Sequence, residues 1–420
     1  MPNNISPQYD LLDETLNAYR AADRPVNNQY LYNAVAQRAH LTDEITQNCQ
    51  PIGKSGSQRN VYHRQLRWHQ QTLRDMGMLK RIPGKRGVWE LTDKAKRGLH
   101  PIRRPLSLVA FSTDLGVACW GYSQDVFGQW PSNEPIMLAL TSPPYPLASS
   151  RRYGNPSASE MVGFILDILA PIVERMAPEA SLILNLSEDI FLPQLPARST
   201  YLERVIIALE DQLGLSLMDR IPWVNRSKPP GPLRYASITR QQLNVSWEPI
   251  LWFARDPKRC KADNRRVLTP HSERQQRLID QGGEKRTAVY GDGAYRLSPG
   301  AYANPTAGAI PKNTLEFGHS CAVGRKHRKL CQQHGLPTHG AGMPYRLPEF
   351  FIKFLTEEGD LVADSCGGRL MTARAAQSLN RAWVTTECMA EYIAGGSLLF
   401  EEEKGFARSA AFEALLHSVA

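Results

Sequence analysis

The hydrophobic and polar positions after residue 105 alternate between two periodicities. Short apolar runs such as IMLALT (136–141) and DLVADSC (360–366) predict buried strands, whereas SEMVGFILDILAPIVERMA (159–177) and YLERVIIALEDQLG (201–214) carry apolar residues at helical spacing. Apolar strands that alternate with helices are typical of a parallel sheet covered on both faces. The pattern therefore predicts an α/β fold, a doubly wound and mostly parallel sheet, over residues 105–420.

The first hundred residues have a different pattern, in which helices precede a short hairpin. NQYLYNAVAQRA (28–39) and RNVYHRQLRWHQQTLRDMGML (59–79) show helical spacing, and two short strands flank the turn PGKRG (83–87). Helices followed by a two-stranded wing predict a winged-helix-like N-terminal domain, residues 1–104. Such a module can contact flanking DNA or bind a second subunit. The alternative is a helical domain that only docks on its neighbour.

Between residues 224 and 338 the periodicity is lost. The segment is rich in Gly, Pro, Arg and Asn, and one apolar run, SWEPILWFA (246–254), predicts a strand within it. It also contains the basic runs RSKPPGPLR (226–234) and KRCKADNRR (258–266). Such runs usually lie on a solvated surface. Contact with DNA phosphates is the alternative, and the sequence favours neither of the two.

The composition narrows the class of protein. The chain has 50 Lys+Arg and 41 Asp+Glu, a net charge of +9 that mildly favours a polyanionic partner such as nucleic acid. Its seven cysteines are scattered, which indicates reduced thiols, and the N-terminus has no basic and apolar regions of a signal peptide. No apolar stretch approaches the ~20 residues that cross a bilayer. A cytoplasmic protein without membrane contact is expected.

The segment GDLVADSCGGRLMTARAAQSLNRAWVTTE (359–387) has the pattern of a nucleotide-binding βαβ unit. An apolar strand ends in Asp364, a Gly-Gly corner and a helix follow, and the next strand ends in Glu387. Glycines let the backbone approach a ligand, and a helix N-terminus offers free amides. A carboxylate at the end of the second strand can accept hydrogen bonds from both ribose hydroxyls. The alternative is an ordinary strand–helix turn.

A second strand end, LALTSPPY (138–145), runs into a rigid corner. Two consecutive prolines cannot lie inside a central strand, so the strand must end there. The Ser142 hydroxyl and the Pro143 carbonyl are two acceptors for an exocyclic amine, and the Tyr145 ring offers a flat face to a base. Such a base must first leave the DNA duplex. Taken alone, the corner is no more than a Pro-Pro loop.

The combination of segments is more specific. TSPPYPLASSRRYGNP (141–156), LNLSED (184–189), PYRLPEFFIKFLTEEGDLVADSCGG (344–368) and WVTTE (383–387) occur in an order that resembles the β-class amino-methyltransferases of DNA. The resemblance is strongest to the cytosine-N4 enzymes of restriction–modification systems, of the PvuII type. It implies the S-adenosylmethionine-dependent methyltransferase fold, S-adenosylmethionine as cofactor and double-stranded DNA as substrate. The amine would attack the methyl group directly, so no cysteine nucleophile is expected.

The resemblance also assigns site residues. The catalytic residues are Ser142, Pro143, Pro144 and Tyr145. The cofactor pocket comprises Asp364, Gly367, Gly368, Thr372 and Glu387, with Met343, Pro344, Arg346 and Leu347 closing over the methionine end. Residues 224–338 form the target-recognition region, in which Arg226, Lys228, Arg234, Arg265 and Arg266 contact DNA. No metal is expected, because the His and Cys spacings in residues 318–340 match no common zinc finger.

One segment departs from the family pattern. The family's cofactor loop reads Asp-Pro-Phe-x-Gly-Ser-Gly-Thr-Thr or close to it, and this chain reads DSCGGRLMT (364–372). Arg369, Leu370 and Met371 replace small or polar residues. Large side chains here can obstruct the pocket, and Arg369 can also fill space near the carboxylate of the cofactor or form a salt bridge with it.

Three functions therefore stay open. The first is a DNA cytosine-N4 methyltransferase, a monomer or dimer that protects host DNA beside a cognate restriction endonuclease, and the serine at position 142 favours it. The second is methylation of the adenine amine, for which the family usually carries aspartate at that position. The third is a catalytically silent DNA-binding protein on the same scaffold. Cofactor binding distinguishes the third function from the other two.

Overall fold

The chain divides into two compact units, Met1–Gly98 and Leu99–Ala420. A computed structural model describes residues 11–413, except 23, 53–56, 76–77, 93–98, 132, 147–155, 227, 229–230 and 341. This division lies before the predicted domain boundary at 104/105, because residues 99–104 form hydrogen bonds and an ion pair with the rest of the second unit. The Ile102 N–H donates to the Cys388 carbonyl at 3.0 Å, and Arg104 pairs with Asp125 at 2.8 Å.

The N-terminal unit packs helices against a small antiparallel sheet. Its buried cluster includes Leu31, Val35 and Leu66, which lie on the inner faces of two helices. The sheet contains Val26–Asn27, Val88–Leu91 and Leu79–Arg81 in that order, so helices precede an antiparallel hairpin as the sequence predicts. The helices are α1 (Leu12–Ala22), α2 (Asn28–Arg38), α3 (Asp43–Thr46) and α4 (Val61–Asp75), and the strands are β1 (Val26–Asn27), β2 (Cys49–Ile52), β3 (Ser57–Asn60), β4 (Leu79–Arg81) and β5 (Val88–Leu91).

The second unit is built on a ten-stranded sheet. Its strands are β6 (Leu108–Thr113), β7 (Gly116–Trp120), β8 (Ile136–Thr141), β9 (Met176–Asn185), β10 (Ser216–Val224), β11 (Trp247–Ala254), β14 (Leu315–Glu316), β15 (Leu361–Asp364), β16 (Ala382–Glu387) and β17 (Ala407–Arg408). Their order is β14-β10-β11-β9-β8-β15-β16-β7-β6-β17. The five central strands, from β9 to β7, are parallel to one another, and an antiparallel strand adjoins them on each side, β11 beside β9 and β6 beside β7.

Helices cover both faces of this sheet. The helices of this unit are α5 (Ser123–Gly128), α6 (Met161–Val173), α7 (Tyr201–Leu213), α8 (Glu273–Asp280), α9 (Ala322–Gln333), α10 (Arg346–Leu355), α11 (Met371–Ser378) and α12 (Ala390–Ser397). Of these, α8 has no buried residue and belongs to neither core that flanks the sheet. Successive residues of β8 alternate between two cores: Leu138 and Leu140 pack with α10, α11 and α12, whereas Ala139 packs with α6 and α7. This two-sided burial confirms the predicted doubly wound α/β fold.

The segment predicted to be irregular, 224–338, also contributes to the sheet. Strand β11 lies between β9 and β10, and β14 forms its edge beyond β10. The rest of the segment has short elements, including a π-helical turn (Leu233–Ile238), a 3₁₀ turn (Asn264–Val267) and the hairpin of β12 (Ala288–Tyr290) and β13 (Tyr295–Leu297). In the part of the chain that the structure describes, no helix is long and apolar enough to cross a membrane.

Candidate active site

The carboxyl ends of three neighbouring strands meet at the centre of the large sheet. Strand β15 lies between β8 and β16 and runs parallel to both. Ser142 follows the last residue of β8, Asp364 ends β15 and Glu387 ends β16. Because parallel strands present their carboxyl ends on one edge, the sheet brings the two predicted motifs together.

These strand ends border one cavity that is open to solvent. It contains about 1130 Å³ of space free of protein atoms, with the solvent at its mouth included. Residues 147–155, which continue the predicted catalytic stretch, lie outside the described residues. The predicted residues that line the cavity are Ser142, Pro143, Pro144, Tyr145, Met343, Asp364, Gly367, Gly368 and Glu387.

A buried polar network that crosses two further strands holds Ser142. Its Oγ donates to Oδ1 of Asn185, the last residue of β9, at 3.1 Å. Nδ2 of Asn185 lies 3.5 Å from the carboxylate of Glu248 on β11. That carboxylate in turn accepts a hydrogen bond from Nζ of Lys228 at 3.2 Å. Because the Ser142 proton is directed to Asn185, both oxygen lone pairs stay available to accept hydrogen bonds.

Neither Asn185 nor Glu248 could be assigned a role from the sequence alone. Asn185 was inside a quoted motif and Glu248 inside a predicted strand, but only the order β8-β9-β11 brings their side chains to Ser142. Lys228 was predicted to contact DNA. The structure instead pairs it with the buried Glu248 carboxylate, and its side chain is 20% exposed.

Two carboxyl groups form the other wall of the cavity. The Gly368 and Met389 N–H groups donate to Glu387 at 2.7 and 2.8 Å, and the Cys366 N–H donates to Asp364 at 3.0 Å. Burial nevertheless raises the pKa of Glu387 to about 7 and that of Asp364 to about 6. Close packing requires glycine at position 367, since a Cβ there would lie 2.5 Å from Oγ1 of Thr385.

The unusual residues of the cofactor loop leave the cavity open. Leu370 is fully buried, and its side chain packs against Gly367 and Gly396 instead of projecting into the open space. Met371 is also buried, and it lines the cavity beside Arg369. The guanidinium group of Arg369 turns towards the carbonyl of His339. The larger side chains of this loop therefore do not close the cavity.

Four residues predicted to bind the cofactor do not line the cavity. Leu347 is fully buried in the core, because it begins the apolar face of α10, and Pro344 is also buried. Arg346 is exposed, with its guanidinium group 5.2 Å from the centre of the Phe317 ring. Thr372 is buried in the first turn of α11. Lining residues that the sequence did not reveal include Tyr122, Phe164, His339 and Gly342.

The other predicted DNA-binding residues differ in accessibility. Arg226 is 81% exposed although it pairs with Glu316, and Arg234 is exposed beside the Tyr235 ring. Arg265 is exposed and pairs with Asp263 within its own turn. Arg266 is only 24% exposed, because Glu357 pairs with it at 2.6 Å. Arg266 therefore stabilises the junction between the 3₁₀ turn and the end of α10.

The His- and Cys-containing segment 318–340 forms α9 and its flanking loops. His327 and Cys331 are buried neighbours on that helix, with Sγ 3.5 Å from Nε2. Burial lowers the pKa of His327 to about 4 and raises that of Cys331 to about 11. Among the described residues, no group of three or more His, Cys, Asp or Glu side chains is arranged to hold a metal ion.

A doubly wound sheet whose central strands end in two carboxylates and a Ser-Pro-Pro-Tyr corner has the architecture of a nucleotide-dependent transferase. Residues 136–397 match the N6/N4-methyltransferase family, described as DNA methylase, and residues 9–100 match the Mrr N-terminal domain. The chain belongs to this DNA methylase family, which confirms the family that the sequence motifs implied.

Individual proteins of the family are also similar. The chain is 30% identical over 291 residues to the type II methyltransferase M.PvuII of Proteus hauseri, a match that covers 69% of this chain and 85% of that protein. The solved structure of the PvuII DNA methyltransferase (cytosine-N4-specific) aligns with a TM-score of 0.55 and 26% identity, over 73% of this chain and 93% of that one.

Proposed function

We propose that the protein transfers a methyl group from S-adenosylmethionine to the exocyclic N4 amine of a cytosine flipped out of duplex DNA. The observation that carries the proposal is a single cavity bordered by the amine-accepting corner on one side and the two strand-end carboxylates on the other. Such a cavity can place a base and a methyl donor in contact, which is the main requirement of a direct displacement.

The chain's own residues position the amine. Ser142 and the Pro143 carbonyl accept its two N–H groups and so direct the nitrogen lone pair into the cavity. They also stabilise the positive charge that develops on the nitrogen. Asn185 fixes the Ser142 hydroxyl by accepting its proton in a hydrogen bond. The Tyr145 ring stacks on the flipped base, and Pro144 keeps the corner rigid.

The opposite wall suits the cofactor. Bound S-adenosylmethionine supplies an electrophilic methyl group on a sulfonium centre. Glu387 accepts hydrogen bonds from the ribose hydroxyls, and the Gly367–Gly368 backbone allows the close approach that a Cβ would prevent. Asp364 and Met343 complete the wall. None of these residues forms a covalent bond to the substrate.

Cytosine is favoured over adenine by two observations. The first is the serine at position 142, where the adenine enzymes of the family usually carry aspartate. The second is the similarity to PvuII methyltransferases, since the relative that shares 30% identity is M.PvuII. The similar solved structure carries the description cytosine-N4-specific. A protective role for host DNA in the cytoplasm, beside a restriction endonuclease of the same specificity, belongs to this proposal.

The remaining parts of the chain are proposed to bind the duplex. Exposed arginines in 224–338, including Arg226, Arg234 and Arg265, would contact phosphates or base edges around the target. The N-terminal unit would contact flanking DNA. The observation that favours this role is a concentration of charge: residues 57–92 carry eight Lys+Arg and two Asp+Glu, so they hold +6 of the chain's net charge of +9.

Nucleoside mass spectrometry tests the proposed reaction. DNA from a host without methylases of its own, expressing this chain, should contain N4-methylcytosine, and the Ser142→Ala variant should leave the DNA unmodified. Methyladenine would replace the proposed base by the adenine alternative. Unmodified DNA from a protein that binds both DNA and S-adenosylmethionine would favour the silent DNA-binding protein.

A further inference from the structure

Arg369 occupies a position in the cavity wall where the family pattern has a small residue. It precedes α11, and its side chain lines the cavity together with His339, Gly342 and Met343. Its Nε and Nη2 atoms donate to the His339 carbonyl at 3.1 and 2.8 Å. The guanidinium group is therefore fixed against His339, which also lines the cavity.

The surrounding backbone accommodates this side chain closely. A Cβ at Gly342 would lie 2.2 Å from Nε of Arg369, so the guanidinium group packs directly on the Gly342 backbone. The next residue, Leu370, has a left-handed backbone with φ 59°, which costs a non-glycine residue roughly 1–2 kcal/mol. The burial of the Leu370 side chain offsets that strain. The loop and its neighbour are thus adapted to hold an arginine in one orientation.

The charge of Arg369 is not neutralised by the protein around it. Among the described residues it makes no ion pair with a carboxylate, and it donates hydrogen bonds to the neutral His339 carbonyl. Burial lowers the pKa of Arg369, as expected for a cation without an anionic partner. A guanidinium group has five N–H donors, so most of them remain for a ligand. A half-buried cation of this kind favours an anion in the cavity.

We propose that Arg369 binds the α-carboxylate of the methionine half of S-adenosylmethionine, an inference that rests on the proposed function. The carboxylate is the only anionic group of that cofactor, whose sulfonium and ammonium groups are both cationic. The planar fork of arginine matches a carboxylate with two parallel hydrogen bonds. Arg369, which replaces a small residue of the family loop, thereby provides a specific contact for an anion.

Calorimetric titration with two ligands that differ only in this group tests the proposal. Wild-type protein should bind S-adenosylmethionine about 10- to 100-fold more tightly than decarboxylated S-adenosylmethionine, the effect expected for a charge-assisted hydrogen bond. Arg369→Met should remove most of that difference, and Arg369→Lys, which keeps the charge without the fork, should leave an intermediate ratio. Equal affinities of the wild type for both ligands would overturn the proposal.

The ratio of the affinities for S-adenosylmethionine and its decarboxylated form shows whether Arg369 recognises the carboxylate or only supports the fold. Loss of the hydrogen bonds to His339 in Arg369→Met could weaken both ligands together, and an unchanged ratio would show that Arg369 only fastens the segment around His339. Arg325→Met, which removes an exposed arginine on α9, is the control and should keep the wild-type ratio. If wild-type protein binds neither ligand, the proposed function itself fails.

Discussion

Ser142 is the residue whose hydrogen bonds connect the fold most directly to the proposed chemistry. Because its proton is directed to Asn185, its oxygen can accept a hydrogen bond from an amine. Ser142→Ala should therefore lower the single-turnover rate of methyl transfer by roughly 10²- to 10³-fold, the usual cost of removing one preorganised polar group. The affinity for S-adenosylmethionine, measured by titration calorimetry, should stay within about twofold, because the corner faces the base.

Ser378→Ala is the matched control for this serine. Its hydroxyl is exposed and donates to the Arg374 carbonyl one turn earlier in α11, so the rate should be unaffected. A comparable loss of rate and of cofactor affinity in Ser142→Ala would contradict the role given to Ser142 and indicate instead that the corner supports the whole cavity.

Glu387 should make cofactor binding depend on pH. Its folded-state pKa is raised by burial to about 7, so the ligand-free protein holds a proton there below neutrality. Only the ionised carboxylate can accept hydrogen bonds from both ribose hydroxyls, so binding releases that proton. The dissociation constant of S-adenosylmethionine should therefore fall about tenfold between pH 6 and pH 8. Calorimetric titrations at pH 6 and pH 8 measure this dissociation constant. The Glu387→Gln variant should bind S-adenosylmethionine weakly and with little pH dependence. An affinity of the wild type that does not change between the two pH values would refute the assignment of Glu387 to the ribose hydroxyls.

At the scale of elements, two glycines in regular structure should respond oppositely to the same change. Gly116 begins β7, where a Cβ would lie 2.3 Å from both the carbonyl oxygen and the ring of Trp383 on the paired strand β16. Gly116→Ala should destabilise the protein by roughly 1–3 kcal/mol through overpacking. Gly163 lies exposed within α6 with no atom within 4 Å of an added Cβ, so Gly163→Ala should stabilise it by roughly 0.5–1 kcal/mol.

Denaturant unfolding of the full chain checks both substitutions. The comparison removes the general effect of replacing glycine with alanine, because both variants gain one methyl group and lose the same backbone freedom. A loss of stability in both variants would show that α6 cannot accommodate the methyl group. No loss in Gly116→Ala would show that β7 and β16 separate easily at that position.

Local pattern predicted most elements, and tertiary contacts decided where some of them end. The apolar spacing predicts a helix through residue 177, but α6 ends at Val173 and β9 starts at Met176. The reason is a bond from the Ile136 N–H to the Arg175 carbonyl at 2.9 Å, which draws the chain into the sheet beside β8. Helical periodicity cannot reveal such a bond, because its partner lies about forty residues earlier.

The residues of the candidate active site were also only partly predictable from local sequence pattern. Ser142, Asp364 and Glu387 were predictable because Asp364 and Glu387 end apolar strands and Ser142 directly follows one, beside a Pro-Pro corner. Asn185 and Glu248 were not predictable, since their proximity to Ser142 depends on the order of strands across the sheet. Sequence spacing therefore located the groups proposed to face the ligands, whereas the groups that hold them in place required the sheet topology.

At the scale of the whole molecule, positive charge is concentrated in the N-terminal unit. Helix α4 buries Leu66 and Leu73 on one face and exposes Arg64, Arg67 and Trp68 on the other, with Trp68 66% exposed. Within residues 57–92, Arg74 and Lys80 pair with acidic residues, and the other six cations make no ion pair with the residues described. An exposed aromatic ring among unpaired cations favours a nucleic-acid surface over a docked one.

The double substitution Arg64→Gln with Arg67→Gln should accordingly weaken DNA binding without changing the base that is methylated. Each lost phosphate contact should lower the dependence of log affinity on log salt by about 0.9, so the slope should fall by about 2. Fluorescence anisotropy of the full-length protein with duplex DNA from 50 to 200 mM salt measures this slope. Arg38→Gln, which removes an arginine paired with Glu14, is the control and should leave the slope unchanged. An unaltered slope in the double variant would indicate that this face of α4 contacts protein and not DNA. The methylation proposed for the second unit does not depend on the outcome of this experiment.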